Sequence, residues 1–243
     1  MQVWGVTDIG LVRKENQDAY LVRESGGHTI CVVCDGMGGA AGGRLASQIA
    51  TETFVDELER LLAPGMEPEQ LLSVSARAVF AANQAVREAA AESEAYQNMG
   101  TTLVAAVSYA GGTVVTNVGD SRAYHVTREG ITRVTKDHSL VERMVDRADI
   151  TAEEARRHPS RNLITRALGP DADAQCDGYI CPMESGEYLL LCTDGLVNTV
   201  TDQEMLFEVI HGAEPDTSLD RMLEIAKKQG APDNVTAVLM RKL

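Results

Sequence analysis

Apolar and polar positions fall into many short alternating runs along the chain, interrupted early by two long stretches with helical spacing. Alternation rich in β-branched residues predicts strands at Val3–Thr7, Ala19–Val22, Thr29–Cys34, Thr102–Tyr109, Thr113–Asn117, Ala123–Val126, Glu187–Cys192 and Val235–Met240. Apolar residues recurring every three or four positions, among them Leu45, Ile49 and Leu58, predict a helix over Ala41–Leu62. Further helices are expected over Pro68–Glu94 and Leu219–Lys228. Turn signals such as Ala110-Gly111-Gly112 favour antiparallel pairing over βαβ repeats, so sheet layers covered by helices, an α+β sandwich, are the expected architecture.

Composition narrows the classes. With 243 residues, 44% of them hydrophobic and 24% charged, the chain has the make-up of one globular domain spanning 1–243, able to bury roughly 70–75% of its unfolded surface. A formal net charge of −14 argues against a nucleic-acid groove, which needs basic patches. No apolar run approaches about 18 residues, and MQVWGVTDIG lacks a basic region followed by an apolar one, so neither membrane span nor signal peptide is expected and the cytoplasm is the expected compartment. The five cysteines suggest no disulfide framework. Cys31 and Cys34 form a CxxC, but positions i and i+3 of a strand face opposite sides, so buried thiols are expected rather than a zinc site.

The stretch Cys31–Arg44, CVVCDGMGGAAGGR, ends an apolar strand on a carboxylate and follows it with glycines. A phosphate loop of the Walker type would need Gly-Lys-Ser/Thr, which is absent. A metal site fits better: Asp35 at the strand end, with Gly36 beside it so that a backbone carbonyl can also approach a hard cation. Four other aspartates stand at strand ends, Asp18, Asp120, Asp194 and Asp233. Singly each reads as a turn former. As a set of oxygen donors they point to Mg²⁺ or Mn²⁺.

The segments Arg13–Asp18 (RKENQD), Val33–Gly39 (VCDGMGG), Met99–Thr102 (MGTT), Val118–Tyr124 (VGDSRAY), Lys136–Ser139 (KDHS), Arg161–Gly169 (RNLITRALG), Leu191–Leu196 (LCTDGL) and Asp233–Asn234 resemble, in order, the motifs of the metal-dependent Ser/Thr protein phosphatases, the protein phosphatase 2C family, and most closely its compact bacterial branch. The resemblance implies a four-layer αββα sandwich with two central antiparallel sheets and a metal site at one end. It implies that Asp35 bridges two Mn²⁺ or Mg²⁺ ions, that the Gly36 carbonyl, Asp194 and Asp233 complete their protein ligands, and that Asp18 acts mainly through metal-bound water. Asp120 with Asp194 resembles the ligand pair of a third, weaker site. Asp35 and Asp194 would carry the catalysis, Arg13 would bind phosphate, and Gly38 and Gly39 would keep the approach uncluttered.

The activity implied is hydrolysis of phosphoserine and phosphothreonine in proteins by direct attack of a metal-bridging hydroxide, opposing a bacterial Ser/Thr kinase, in a monomer. The alternative is a catalytically weak phosphatase-like module that binds phosphoproteins. Two departures stand out. Met37 follows Asp-Gly where many eukaryotic relatives have a histidine acid, leaving His138 as the replacement to weigh. Ala231-Pro232 precedes Asp233 where glycine is frequent. The segment 140–160, with a capping box at Thr151 and Glu154, resembles the family's flap, and its arginines 147, 156, 157 and 161 would bring positive charge near an acidic site.

Overall fold

The computed structural model describes residues 1–212 and 214–243. In chain order the strands are β1 (Gln2–Asp8), β2 (Asp18–Ser25), β3 (His28–Met37), β4 (Gly100–Thr101), β5 (Leu103–Tyr109), β6 (Gly112–Val118), β7 (Arg122–Thr127), β8 (Gly130–Arg133), β9 (Asp177–Pro182), β10 (Tyr188–Cys192) and β11 (Val235–Arg241). The helices are α1 (Ala40–Leu61), α2 (Pro68–Ala91), α3 (Leu140–Asp146), α4 (Ala152–Arg157), α5 (Asp194–Val197), α6 (Asp202–His211) and α7 (Pro215–Lys228). One sheet has the order β1-β11-β10-β7-β8 and the other β2-β3-β5-β6-β9, with β4 attached to β3. Every pairing is antiparallel.

The alternation in the sequence sorts the side chains into three apolar layers. On β3, Ile30, Val32 and Cys34 face α1 and α2, while Cys31 and Val33 face the other sheet. On β10, Leu190 and Cys192 pack under α6 and α7, and Leu189 and Leu191 join the layer between the sheets. This is the αββα sandwich expected, with a core on each side of each sheet. Each buried Leu, Ile or Val in these layers contributes about 1.5–3 kcal/mol, which fixes the register, since a one-residue slip would turn every strand inside out. The cysteines all remain free thiols, and Cys31 and Cys34 do face opposite ways.

Several boundaries differ from expectation. β3 does not stop at Cys34 but runs through Asp35 and Gly36 to Met37, because β4 pairs with its last residues, Gly36 with Thr101 and Met37 with Gly100. The second long helix ends at Ala91, and a short 3₁₀ turn over Glu94–Tyr96 follows, started by the Ser93 hydroxyl accepting from the Ala95 N–H. α7 begins at Pro215 rather than Leu219, with proline where no N–H is needed. β4, β8, β9, α3, α5 and α6 were not expected as elements. The capping box at Thr151 and Glu154 is present and opens α4. Among the described residues no helix is long and apolar enough to cross a membrane.

Candidate active site at one end of the sandwich

The two sheets present their loop ends side by side around a cavity of about 420 Å³. Sheet pairing does much of the assembly. Asp18 on β2 and Asp35 on β3 are register partners, so the sheet itself sets one carboxylate beside the other. The opposite sheet contributes Asp194, where β10 gives way to α5, and Asp233, just before β11. Asp120 lies in the tight turn between β6 and β7. Asp35, Gly36, Asp120, Asp194 and Asp233 all line the cavity, as do Arg13, Met37, Gly38 and Gly39. Asp18 sits behind them, 8% exposed.

The electrostatics are those of an anion cluster. Burial pushes Asp18 up to about 7, and the charges of Asp194 and Asp233 act in the same direction. Asp120 is likewise pushed up to about 7, by burial and then by Asp194 and Asp137. Asp35 is raised well above the usual carboxylate range by burial and by the charges of Asp18, Asp194, Asp120 and Asp233. Asp194 is raised by burial and Asp233, and lies within hydrogen-bonding reach of Asp35. Asp35, Asp120 and Asp194 keep some surface open to the cavity although they lie deep in the protein, so a solute in the cavity meets them directly while bulk water screens them poorly.

Hydrogen bonds fix the Asp18 carboxylate and the backbone around the site from behind. Thr193 donates its hydroxyl to Asp18 Oδ2 at 2.9 Å. The Thr236 hydroxyl is near enough to ease the Asp18 charge but makes no aligned bond to Oδ1, which is buried and unpartnered. The Asp35 N–H donates to Thr102 Oγ1 at 2.9 Å, and Thr102 is linked to Ser121 Oγ at 2.7 Å. Asn234 accepts from the Gln17 N–H and donates to the Ile9 and Glu15 carbonyls, holding the loop that carries Arg13. None of these supporting roles follows from spacing, although Thr102, Ser121, Thr193 and Asn234 all fall within segments quoted above.

The glycines divide by function. A Cβ on Gly36 would lie 2.0 Å from the Gly43 carbonyl oxygen, so glycine is required where β3 crosses the start of α1. A Cβ on Gly38 would strike the backbone of Asn98 and Met99, whereas one on Gly39 would meet nothing within 4 Å. Gly38 therefore serves close backbone packing as well as an open approach.

Other expected residues fare unequally. Arg13 stands at the mouth, its side chain 51% exposed, with Nη2 donating to Asp233 Oδ2 at 2.7 Å. A residue expected to bind phosphate is thus paired with one expected to bind metal. His138 does not line the cavity; it is 7% exposed and both ring nitrogens face protein groups, which removes it as the acid for the leaving group. Segment 140–160 forms α3 and α4, closed at its base by the Leu140 N–H to Leu163 carbonyl bond. None of arginines 147, 156, 157 and 161 lines the cavity, and Arg157 pairs with Glu153 instead. Asn162 and Ile164, just beyond the segment, do line it.

The donor set suits hard divalent cations: it is all oxygen, strongly anionic and backed by the buried, unpartnered Asp18 Oδ1. Among the described residues no three His, Cys, Asp or Glu side chains are drawn into a closed metal-holding group. The fit therefore lies in chemistry and placement.

A model of the protein phosphatase 2C family matches residues 12–240. A serine/threonine phosphatase of Listeria monocytogenes is 32% identical over 237 residues, covering 97% of this chain and 94% of that protein. The serine/threonine protein phosphatase PstP of Mycobacterium tuberculosis is 37% identical over 237 residues, covering 96% of this chain and 43% of that longer protein. The crystal structure of serine/threonine phosphatase Stp1 from Staphylococcus aureus superposes with a TM-score of 0.93 at 32% identity, covering 100% of this chain and 95% of that one.

Proposed function

The chain belongs to the protein phosphatase 2C family and is a protein serine/threonine phosphatase of the bacterial kind, and from that premise we propose that the carboxylate-lined cavity is its hydrolytic site. The observation that carries the assignment is the convergence of Asp35, Asp120, Asp194 and Asp233 on one cavity, with Asp18 buried behind them and four of the five, Asp18, Asp35, Asp120 and Asp194, raised in pKa. In this reading Asp35, Asp194, Asp233 and the Gly36 carbonyl would hold two Mn²⁺ or Mg²⁺ ions, with Asp18 in support and Asp120 sharing a third, weaker ion with Asp194. Such ions, when bound, neutralise phosphate charge and lower the pKa of water at neutral pH.

The chain's own groups do the rest. Arg13 offers a planar guanidinium fork to two phosphate oxygens at the cavity mouth. Its bond to Asp233 tethers that fork beside the cavity lining. Thr193 holds the Asp18 carboxylate through its hydroxyl, and Thr102 anchors the Asp35 backbone, so the strand end that carries Asp35 does not have to reorganise as charge develops. A mouth at the protein surface suits phosphoserine or phosphothreonine in an extended segment of a phosphoprotein. We further propose that the chain acts as a cytoplasmic monomer and reverses a Ser/Thr kinase.

The test is hydrolysis of an aryl phosphate. Turnover is expected with Mn²⁺ or Mg²⁺ and lost with a chelator, and Asp35→Asn should cost about a hundredfold or more in a folded protein. Robust turnover in chelator, or by folded Asp35→Asn, would overturn the assignment.

A further inference from the structure

His138 is buried, lies outside the cavity, and makes contacts that explain something else: how the turn bearing Asp120 keeps its shape. The Gly119 N–H donates to His138 Nδ1 at 3.1 Å, and the His138 N–H returns a bond to the Gly119 carbonyl at 2.9 Å. A backbone N–H can only donate, so Nδ1 must carry its lone pair and the ring proton must sit on Nε2. Nε2 faces Asp177 Oδ2 at 3.2 Å and Arg166 Nη1 at 3.1 Å. Arg166 cannot accept, so the Nε2 proton goes to Asp177, whose other oxygen accepts from Arg166 at 2.8 Å. Burial and then the Arg166 charge lower the His138 pKa against the pull of Asp177, which keeps the ring neutral and this tautomer in place.

The turn needs such a holder. Gly119 has φ +104, and a Cβ there would lie 2.6 Å from Thr102 Cγ2, so the backbone is wedged against Thr102 in a conformation only glycine adopts readily. On the far side of Asp120, Ser121 Oγ is bonded to Thr102 Oγ1. Asn117 Nδ2 adds a bond to the Gly119 carbonyl at 3.3 Å. Asp120 is therefore flanked by two anchored neighbours.

We propose that His138 is a positioning residue: held as the Nε2–H tautomer by Asp177, it uses Nδ1 to fix Gly119 and so aims the Asp120 carboxylate into the cavity. This rests on the reading above, in which Asp120 helps to hold a weak third ion.

Two variants separate the ring's two ends. His138→Asn places an amide oxygen near the Nδ1 position and can keep the Gly119 bond, while His138→Gln reaches Asp177 but offers Gly119 no acceptor. In metal-free full-length protein, nitrogen-15 NMR of the wild type should show His138 protonated at Nε2. Hydrogen exchange at the Gly119 amide should rise about tenfold in His138→Gln and stay near wild type in His138→Asn, the size expected for one backbone hydrogen bond. With Mn²⁺, calorimetry should show the weakest binding event loosened about tenfold in His138→Gln only, and aryl phosphate kinetics should show a lower kcat with an unchanged KM. An Nδ1–H tautomer in the wild type would overturn the proposal without any variant. So would wild-type exchange and Mn²⁺ dependence in His138→Gln, or a His138→Asn protein as impaired as His138→Gln. The tautomer and exchange measurements need no turnover, so they judge the positioning separately from the phosphatase reading, which the Mn²⁺-dependent activity judges.

Discussion

At the residue scale, Arg13 has the most telling environment. Its guanidinium is raised in pKa first by the bond to Asp233 and also by the charges of Asp35 and Asp194, so it is the one cation among the site residues expected from sequence. Arg13→Ala is expected to leave the central metal sites in place, which calorimetry with Mn²⁺ can establish, while weakening phosphate or substrate binding by about one to two decades, as loss of a charge-assisted bond would. Unchanged kinetics would reduce Arg13 to a surface partner of Asp233. The residues expected at the site were legible because aspartates at strand ends are costly unless something gathers them, and because the ordered motifs named which ones. Thr193 and the inward bonds of Asn234 were not, since their partners lie 175 and 217 to 225 residues away in sequence. A further detail invisible to spacing is Ala231, buried with φ +28 just before Pro232: the Ala231-Pro232 stretch, where the resemblance makes glycine frequent, does carry left-handed backbone at Ala231.

At the element scale, strand alternation was the clearest signal, because both faces of each inner sheet are buried and the residues sort cleanly between layers. Among the elements missed, β9 and α6 lack a clean period for different reasons. β9 is an edge strand, alternately exposed, containing Gly178 and ending on Pro182. In α6 the run Met205-Leu206-Phe207 is continuous rather than spaced, and Phe207 is exposed, so no single apolar face shows. Its start was nevertheless written in the chain: Thr201 accepts from the Glu204 N–H while Glu204 accepts from the Thr201 N–H, a capping box like that at Thr151. Thr201→Ala should cost about 0.5–2 kcal/mol of stability, read as a lower denaturation midpoint, with turnover of the folded protein unchanged. No loss of stability would mean that α6 is held by its packing alone.

At the scale of the whole molecule, the carboxylate cluster links stability to pH and to metal. Asp18 and Asp120 have folded-state values pushed up to about 7, and Asp35 and Asp194 are also raised. Between about pH 4 and 7 the folded protein retains protons that the unfolded chain has released, so folding is penalised progressively as pH rises and fully above about 7. Metal-free protein should therefore lose melting temperature between pH 5 and 8, and saturating Mn²⁺ should raise it more at pH 8 than at pH 5. Asp35→Asn should melt higher than wild type in chelator at pH 8. A melting temperature in chelator that is flat or rises over this range would contradict the cluster's electrostatics. The closing pair of strands adds a mechanical consequence. β1 and β11 run antiparallel from the Gln2–Arg241 rung to the Asp8–Val235 rung, which adjoins the loops carrying Arg13 and Asp233. Tension on the two ends would load one rung at a time and peel the pair open like a zipper, starting roughly 20 Å from the cavity. A tether or fused partner pulling on these ends would tug first on the edge remote from the aspartates, and the carboxylate-lined cavity would be among the last parts to feel the strain.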